Sequence, residues 1–187
     1  MVQSCGKEGG TDSLRRKTML IDTHAHLNYE DLYGDTDALL AEVRGAGVGI
    51  VVNVGWNYDS SALAARQAAE HRGIYFAAGF HPSNLADLRE GDYDRIAALL
   101  RAEKGVAVGE IGLDYHYEGT DEAAQKRAFA AQLELADTLG LPAIIHSRDA
   151  AADTLQLLKD NRGKLAHGGV MHCFSGSPET AKEYLKL

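Results

Sequence analysis

Leu20-Ile21-Asp22-Thr23-His24-Ala25-His26 is the stretch on which the reading of this chain turns. An apolar run leads into two histidines spaced i, i+2. On a β-strand such side chains point to the same face. A strand over Met19–Thr23 would therefore carry His24 and His26 out of its C-terminal end together. Two imidazoles on one face form a grip for a divalent cation. The plainer alternative is a pair of surface histidines, and the rest of the chain decides between the two.

The 187 residues are 45% apolar and 25% charged, the composition of one soluble globular domain. No apolar run is long enough to span a bilayer. Cys5 and Cys173 make no disulfide framework, which favours a reducing compartment. The net charge of −8 argues against a protein that coats nucleic acid with a basic surface. It leaves open an enzyme that acts on nucleic acid, because bound metal ions supply positive charge locally. Residues 1–18 read as a flexible tail, rich in Gly, Ser and charge, with a net +2 that leaves −10 for the remainder. They lack the apolar core of a secretory signal. Met19 opens the first strand directly and fits a natural start, with the tail as an extra leader.

From Met19 onward, strand and helix patterns alternate. Thr36–Arg44 has an apolar helical face and is closed by Gly45 and Gly47. Val48–Val54 is a continuous apolar run, as in a strand buried on both faces. Asp59 and Ser60 cap an Ala-rich helix ending at Gly73. Ile74–Phe80 reads as strand, Tyr93–Glu103 as helix, and Val106–Ile111 as strand. Thr120 caps a long helix with Asp121 and Glu122 in its first turn, where the dipole favours acids; Gly140 and Pro142 end it. Ala143–His146 is strand, Asp149–Lys159 helix and Val170–Phe174 strand. Ser177-Pro178 opens a last helix. Six strand-helix units in a row predict an α/β protein with a parallel sheet, doubly wound or closed as a barrel.

The polar residues that break this pattern gather at strand C-terminal ends: His24 and His26, then His81, Glu110 with Asp114, His146 with Arg148, and His172. Five of the eight histidines fall in these windows, where chance would place roughly one. Ligands from strands that far apart share one centre more readily if the sheet curls on itself, so their convergence favours a barrel with its site at the C-terminal face. The set His24, His26, Glu110, His146 and His172 mixes nitrogen and oxygen, which suits Zn, Mn or a similar divalent ion rather than a structural thiolate zinc. Five candidates exceed the needs of one tetrahedral ion. Two ions bridged by Glu110, the acid between Gly109 and Ile111, are the economical reading. Glu110 paired with a lysine is the duller alternative. Asp114 either supports a ligand or starts a loop. His81 before Pro82 is a site residue or a structural one. Arg148 binds a substrate phosphate, or pairs with Asp149 or Asp153. Cys173 reads as a small strand residue, His71, His116 and His167 as solvated, and the glycines of 105–112 as strand-end packing.

The ordered motifs IDTHAHL, GFHP, GEIGLDY, HSRDA and HCFSG resemble those of the TatD family of metal-dependent hydrolases, from Met19 to the last residue. The resemblance implies a TIM-barrel-like fold and two divalent ions of the Mg, Mn or Zn kind. It also implies hydrolysis of DNA phosphodiester bonds, typically from 3′ to 5′, in the cytoplasm, with no membrane and no obligate protein partner. By the same resemblance His24 and His26 hold the first metal, Glu110 bridges, and His146 and His172 hold the second; in the leading reading built on it, His81 and Arg148 contact substrate. A glutamate at position 110 separates the chain from the wider amidohydrolase group, which often bridges its metals with a modified lysine. The family's later Glu-Thr-Asp motif is not found before Leu187. The expectation is therefore an incomplete barrel over residues 19–187, about six of eight strand-helix units. Hydrolysis of a carbonyl ester or amide, and a non-catalytic remnant that binds metal or a partner, stand as alternatives.

Overall fold

A computed structural model describes residues 19–29 and 36–187 of the chain. The predicted tail, residues 1–18, lies outside them. Six strands and six α-helices alternate: β1 Leu20–Ala25, α1 Thr36–Gly45, β2 Val48–Val54, α2 Tyr58–Glu70, β3 Ile74–Ala78, α3 Asp92–Leu100, β4 Gly105–Asp114, α4 Glu122–Leu139, β5 Ala143–Arg148, α5 Ala151–Asp160, β6 Gly169–Met171 and α6 Pro178–Tyr184. Short 3₁₀ turns at Pro82–Asp87 and Arg162–Lys164 complete the path. Among the described residues, no helix is long and apolar enough to cross a membrane.

The sheet settles what periodicity left open. All neighbouring strands pair in parallel, in the order β1-β2-β3-β4-β5-β6. A doubly wound sheet reverses its strand order at a switch point. Here each strand is added to the same side of the last, which curls the sheet as in a barrel. The curl is pronounced: His24 on β1 and His172 just past β6 belong to the two outermost strands, yet their rings stack with centroids 3.5 Å apart. This is an incomplete TIM-barrel-like fold of six strand-helix units.

Two apolar layers follow from the curl. Phe76, Phe80, Ile111, Phe129, Leu133 and Ile96 are buried in the larger core, with the helices on the outer face of the sheet. Val54, Ala77, Ala107 and Ile144 make a second, smaller cluster with Val52 packed on it. Thr23, His24, Val52, Ala107, Ile144, Val170 and His172 line a cavity of about 260 Å³, contributed by five of the six strands. Each fully buried aromatic or branched side chain stabilises the fold by about 1.5–3 kcal/mol. The edge strands have one neighbour each, and Leu20, Ile21 and Val170 are more than half exposed there.

Several boundaries differ from those read in the sequence, each for a local reason. β1 and β4 run on to Ala25 and Asp114, so His24 and Glu110 lie within strands rather than just past or near their ends. β6 spans three residues and stops before His172; two residues on, Cys173 takes φ +50°. α5 starts at Ala151 rather than Asp149, which has φ +54°. Asn57 rather than Asp59 caps α2, in a capping box with Ser60. Asp121, not Thr120, caps α4, and Gly140 ends that helix in the left-handed conformation.

The buried stripe of α4 contains two glutamines, Gln125 and Gln132, spaced two turns apart on the face that also carries Phe129 and Leu133. Gln132 accepts a hydrogen bond from the Phe80 amide at 2.7 Å and donates to the Phe80 carbonyl at 3.1 Å. Gln125 does the same for Asp114, at 2.8 and 2.9 Å. The glutamine side chains thus stand in for a neighbouring strand where β3 and β4 run out of partners. Gln132→Leu keeps the volume but leaves two buried backbone groups of Phe80 unpaired, and should lower unfolding free energy by about 2–4 kcal/mol in chemical denaturation. A loss well below 1 kcal/mol would show that the Phe80 backbone finds other partners.

Candidate metal centre

β4 places Glu110 at the middle of the site, and the reason it reaches there is close strand packing. A Cβ on Gly109 would lie 2.6 Å from Ile144 Cβ, and one on Gly112 would lie 2.0 Å from the His146 carbonyl oxygen. Only glycine permits that approach of β4 to β5. It brings Glu110 against His146. The Glu110 side chain is 6% exposed.

The two carboxylate oxygens face different histidines. Oε2 is 3.3 Å from His24 Nε2 and 3.8 Å from His26 Nε2. Oε1 is 2.9 Å from His146 Nδ1 and 4.0 Å from His81 Nε2. The Nε2 atoms of His24 and His26 are 3.3 Å apart. Donors bound to one divalent ion at about 2.0–2.2 Å stand ~3–3.5 Å from one another, so this spacing fits an ion between them. His24, Glu110 and His172 form one group able to hold a metal ion, and His81, Glu110 and His146 a second. The resemblance pairs His172 with His146; here it stacks on His24 instead. His24 also leaves Nδ1 buried with no partner, an uncommon state for a polar atom.

What faces Nδ1 fixes the state of two other rings. His26 Nδ1 lies 2.8 Å from the Val54 carbonyl oxygen, which only accepts, so the proton sits on Nδ1 and the Nε2 lone pair faces Glu110. His81 Nδ1 accepts from the Ser83 amide at 3.1 Å, so its proton sits on Nε2 and points at Glu110. His81 thus turns a hydrogen rather than a lone pair toward Glu110, which leaves Glu110 and His146 as the ligands of its group.

Burial pushes the His81 pKa down to about 4, aided by the positive charge of His146, and keeps the ring neutral. Burial by itself raises the Glu110 pKa, but hydrogen bonds from His146 and His24 outweigh it and hold the carboxyl well below the usual carboxylate range. Burial disfavours the charged form of His146, yet its bonds to Glu110 and Asp114 raise its pKa. Burial and the charge of His24 lower the His172 pKa. An ionised carboxylate among imidazoles is the donor chemistry of a divalent site.

Asp114 is buried, and its Oδ2 lies 3.1 Å from His146 Nε2, so it orients that ring. Arg148 stands apart from the cluster. It is exposed, with its guanidinium 5.7 Å from the Tyr117 ring centroid. Neither acid considered for it in the sequence is its partner: Asp149 pairs with His116 at 2.9 Å, and Asp153 with Lys126 at 2.6 Å.

The sequence reading missed the polar residues behind the histidines. Asn53 accepts from the Leu27 amide at 2.8 Å and donates to Gln67 at 2.7 Å, while Gln67 donates to the Leu27 carbonyl at 3.1 Å. Asn28 donates to the Val54 and Ser60 carbonyls. Together they pin the turn after β1 onto β2 and α2, and so aim His26. One signal was present: Asn53 interrupts the apolar run Val48–Val54.

Comparison with known proteins points to one family. The family described as "TatD related DNase" matches residues 21–187. A metal-dependent hydrolase of Bacillus subtilis, YabD, described as uncharacterized, is 41% identical over 169 residues, covering 90% of this chain and 66% of that protein. A Cronobacter turicensis protein named 3′-5′ ssDNA/RNA exonuclease TatD is 37% identical over 151 residues, covering 81% of this chain and 57% of its own length. The crystal structure of YjjV, a TatD homologue from Escherichia coli, superposes with a TM-score of 0.84 at 33% identity, covering 89% of this chain and 64% of that one. The chain therefore spans no more than about two thirds of the length of these relatives. With the family matched over nearly the whole chain and side chains able to hold a metal ion gathered at the strand ends, the chain belongs to the TatD family of metal-dependent hydrolases.

Proposed function

We propose that residues 19–187 form one partial barrel domain of an enzyme that hydrolyses phosphodiester bonds at the ends of single-stranded DNA, in the cytoplasm, with two divalent ions bridged by Glu110. The observation that carries this reading is the division of Glu110, one oxygen toward His24 and His26 and the other toward His146. Relatives named as 3′-5′ ssDNA/RNA exonucleases support the substrate class. When bound, such ions lower the pKa of a water and stabilise charge on a phosphoryl oxygen.

The chain's own residues do the rest. His24 and His26 present nitrogen donors from β1, and His146, oriented by Asp114, presents one from β5. His172 closes the seam between β1 and β6. His81 stays neutral and directs its Nε2 proton at an anionic oxygen of the substrate. Arg148, free of an acidic partner among the described residues, meets a further phosphate at the rim. The walls exclude water around Glu110, where electrostatic contacts are stronger than in bulk solvent.

Elemental analysis after dialysis against Zn²⁺ or Mn²⁺ should give a metal-to-chain ratio near two. Glu110→Ala should lower occupancy of both sites, and His24→Ala should mainly empty one. Full occupancy in Glu110→Ala would remove the bridging assignment.

Cleavage of a 3′-labelled single-stranded oligonucleotide should require the metal and fall on the order of a hundredfold in Glu110→Ala. His81→Ala should reduce kcat/KM roughly tenfold to a hundredfold, the loss of one charge-assisted hydrogen bond, with metal content unchanged. Arg148→Ala should raise KM for DNA, and Arg148→Lys should restore it only in part if the contact is bidentate. Metal loss in either variant would instead place that residue in the metal centre. Faster turnover of simple carbonyl esters than of oligonucleotides would overturn the nuclease reading.

A further inference from the structure

An acidic chain cannot hold a polyanion by a basic surface, so its affinity for nucleic acid has to come from elsewhere. Exposed aromatic rings are one source, because every base offers a π-face to stack on. Among the described residues the exposed large aromatics are Tyr29, Tyr117 and Phe174, at 53%, 58% and 41% exposure. All three lie on loops that follow the C-terminal ends of strands, on the face that carries Glu110 and the histidines. Of the exposed aliphatic side chains among the described residues, Leu20, Ile21 and Val170 lie on the sheet edges and Leu185 follows α6.

One of these rings is joined to the metal centre through Trp56, the chain's single tryptophan. Trp56 is half-buried in the turn between β2 and α2, with its ring centroid 5.4 Å from that of His26 and 5.9 Å from that of Tyr29. Its backbone is held on both sides. The Trp56 carbonyl accepts from the His81 amide at 2.9 Å, and the Trp56 amide donates to Ser60 Oγ at 2.9 Å. Behind it, a Cβ on Gly55 would lie 2.6 Å from Ser61 Cα, so the turn is tightly packed. A large ring on a main chain held at both its amide and its carbonyl, with the exposed Tyr29 ring beside it, loses less conformational freedom than one on a free loop when a flat group stacks on it.

We propose that Trp56, with Tyr29 beside it, is the stacking platform for a nucleobase next to the phosphate that lies at Glu110. This assignment rests on the nuclease reading above. It makes recognition at this position dependent on the presence of a base and tolerant of which base is there.

The single tryptophan makes the test direct. The full chain is titrated with a short phosphorothioate oligothymidylate and with the same oligonucleotide carrying abasic residues at its 3′ end. The intact strand should quench Trp56 fluorescence, and the abasic one should bind about tenfold or more weakly without quenching. By fluorescence anisotropy of labelled oligonucleotide, Trp56→Ala should weaken the intact strand about tenfold and leave the abasic strand unchanged. Trp56→Phe should restore most of the difference, with metal content and melting temperature unaltered in both variants. Equal binding of the two strands, or equal weakening of both by Trp56→Ala, overturns the platform. Metal-dependent cleavage that does not depend on the base would overturn the platform and leave the nuclease reading standing. Base-dependent quenching without cleavage would leave the platform and overturn the nuclease reading.

Discussion

Glu110 carries a negative charge on a side chain only 6% exposed, within a strand whose neighbours are apolar or glycine. A lone carboxylate in that position would cost several kcal/mol or would neutralise itself. Its pKa is held low instead, so the surroundings must supply compensating donors, and they come from strands far apart in the sequence. β1 contributes His24, β5 contributes His146, and the loop after β3 contributes His81. No flat sheet of six strands could bring its first and fifth members to one carboxylate. The requirement at Glu110 and the curl of the sheet are thus one constraint viewed from two sides.

The same constraint explains which parts of the protein could be read in advance. Polar side chains of the kind that ligate metals interrupt apolar strands, so the candidates His24, His26, Glu110, His146 and His172 stood out from their surroundings in the bare sequence. The strand order did not stand out, because a doubly wound sheet and a curled one have the same alternation of elements. Only the pairing of each strand with the next distinguishes them. The shortness of β6 was hidden for a different reason: Cys173 takes a left-handed backbone, which its residue type does not announce.

The polar clamps were also illegible, and for a clear reason. Gln132 serves the backbone of Phe80, 52 residues away, and Asn28 serves the carbonyl of Ser60, 32 residues away. A glutamine in the buried stripe of a helix looks in sequence like an ordinary imperfection of the apolar face. In the fold it replaces the hydrogen bonds a strand loses where it turns into a loop. The loops around the candidate metal centre are therefore held by α2 and α4 from behind, and the site does not depend on the loops' own rigidity. That arrangement suits catalysis, where a displacement of about 1 Å can cost on the order of a hundredfold in rate.

His26 and His81 show how one residue type acquires two opposite roles. Both follow apolar strands and both direct Nε2 at Glu110. The difference lies at Nδ1. For His26 a backbone carbonyl faces it, so Nδ1 must donate and Nε2 is left as a lone pair for an electrophile. For His81 a backbone amide faces it, so Nδ1 must accept and Nε2 keeps its proton for an anion. Burial reinforces the second case by keeping the His81 ring neutral, so its donor is fixed without a charge that would repel a bound cation. Carbonyl and amide are supplied by Val54 and Ser83, whose side chains take no part in either hydrogen bond. Whether Nε2 offers a lone pair or a proton is thus decided by the path of the main chain, one step removed from the rings themselves.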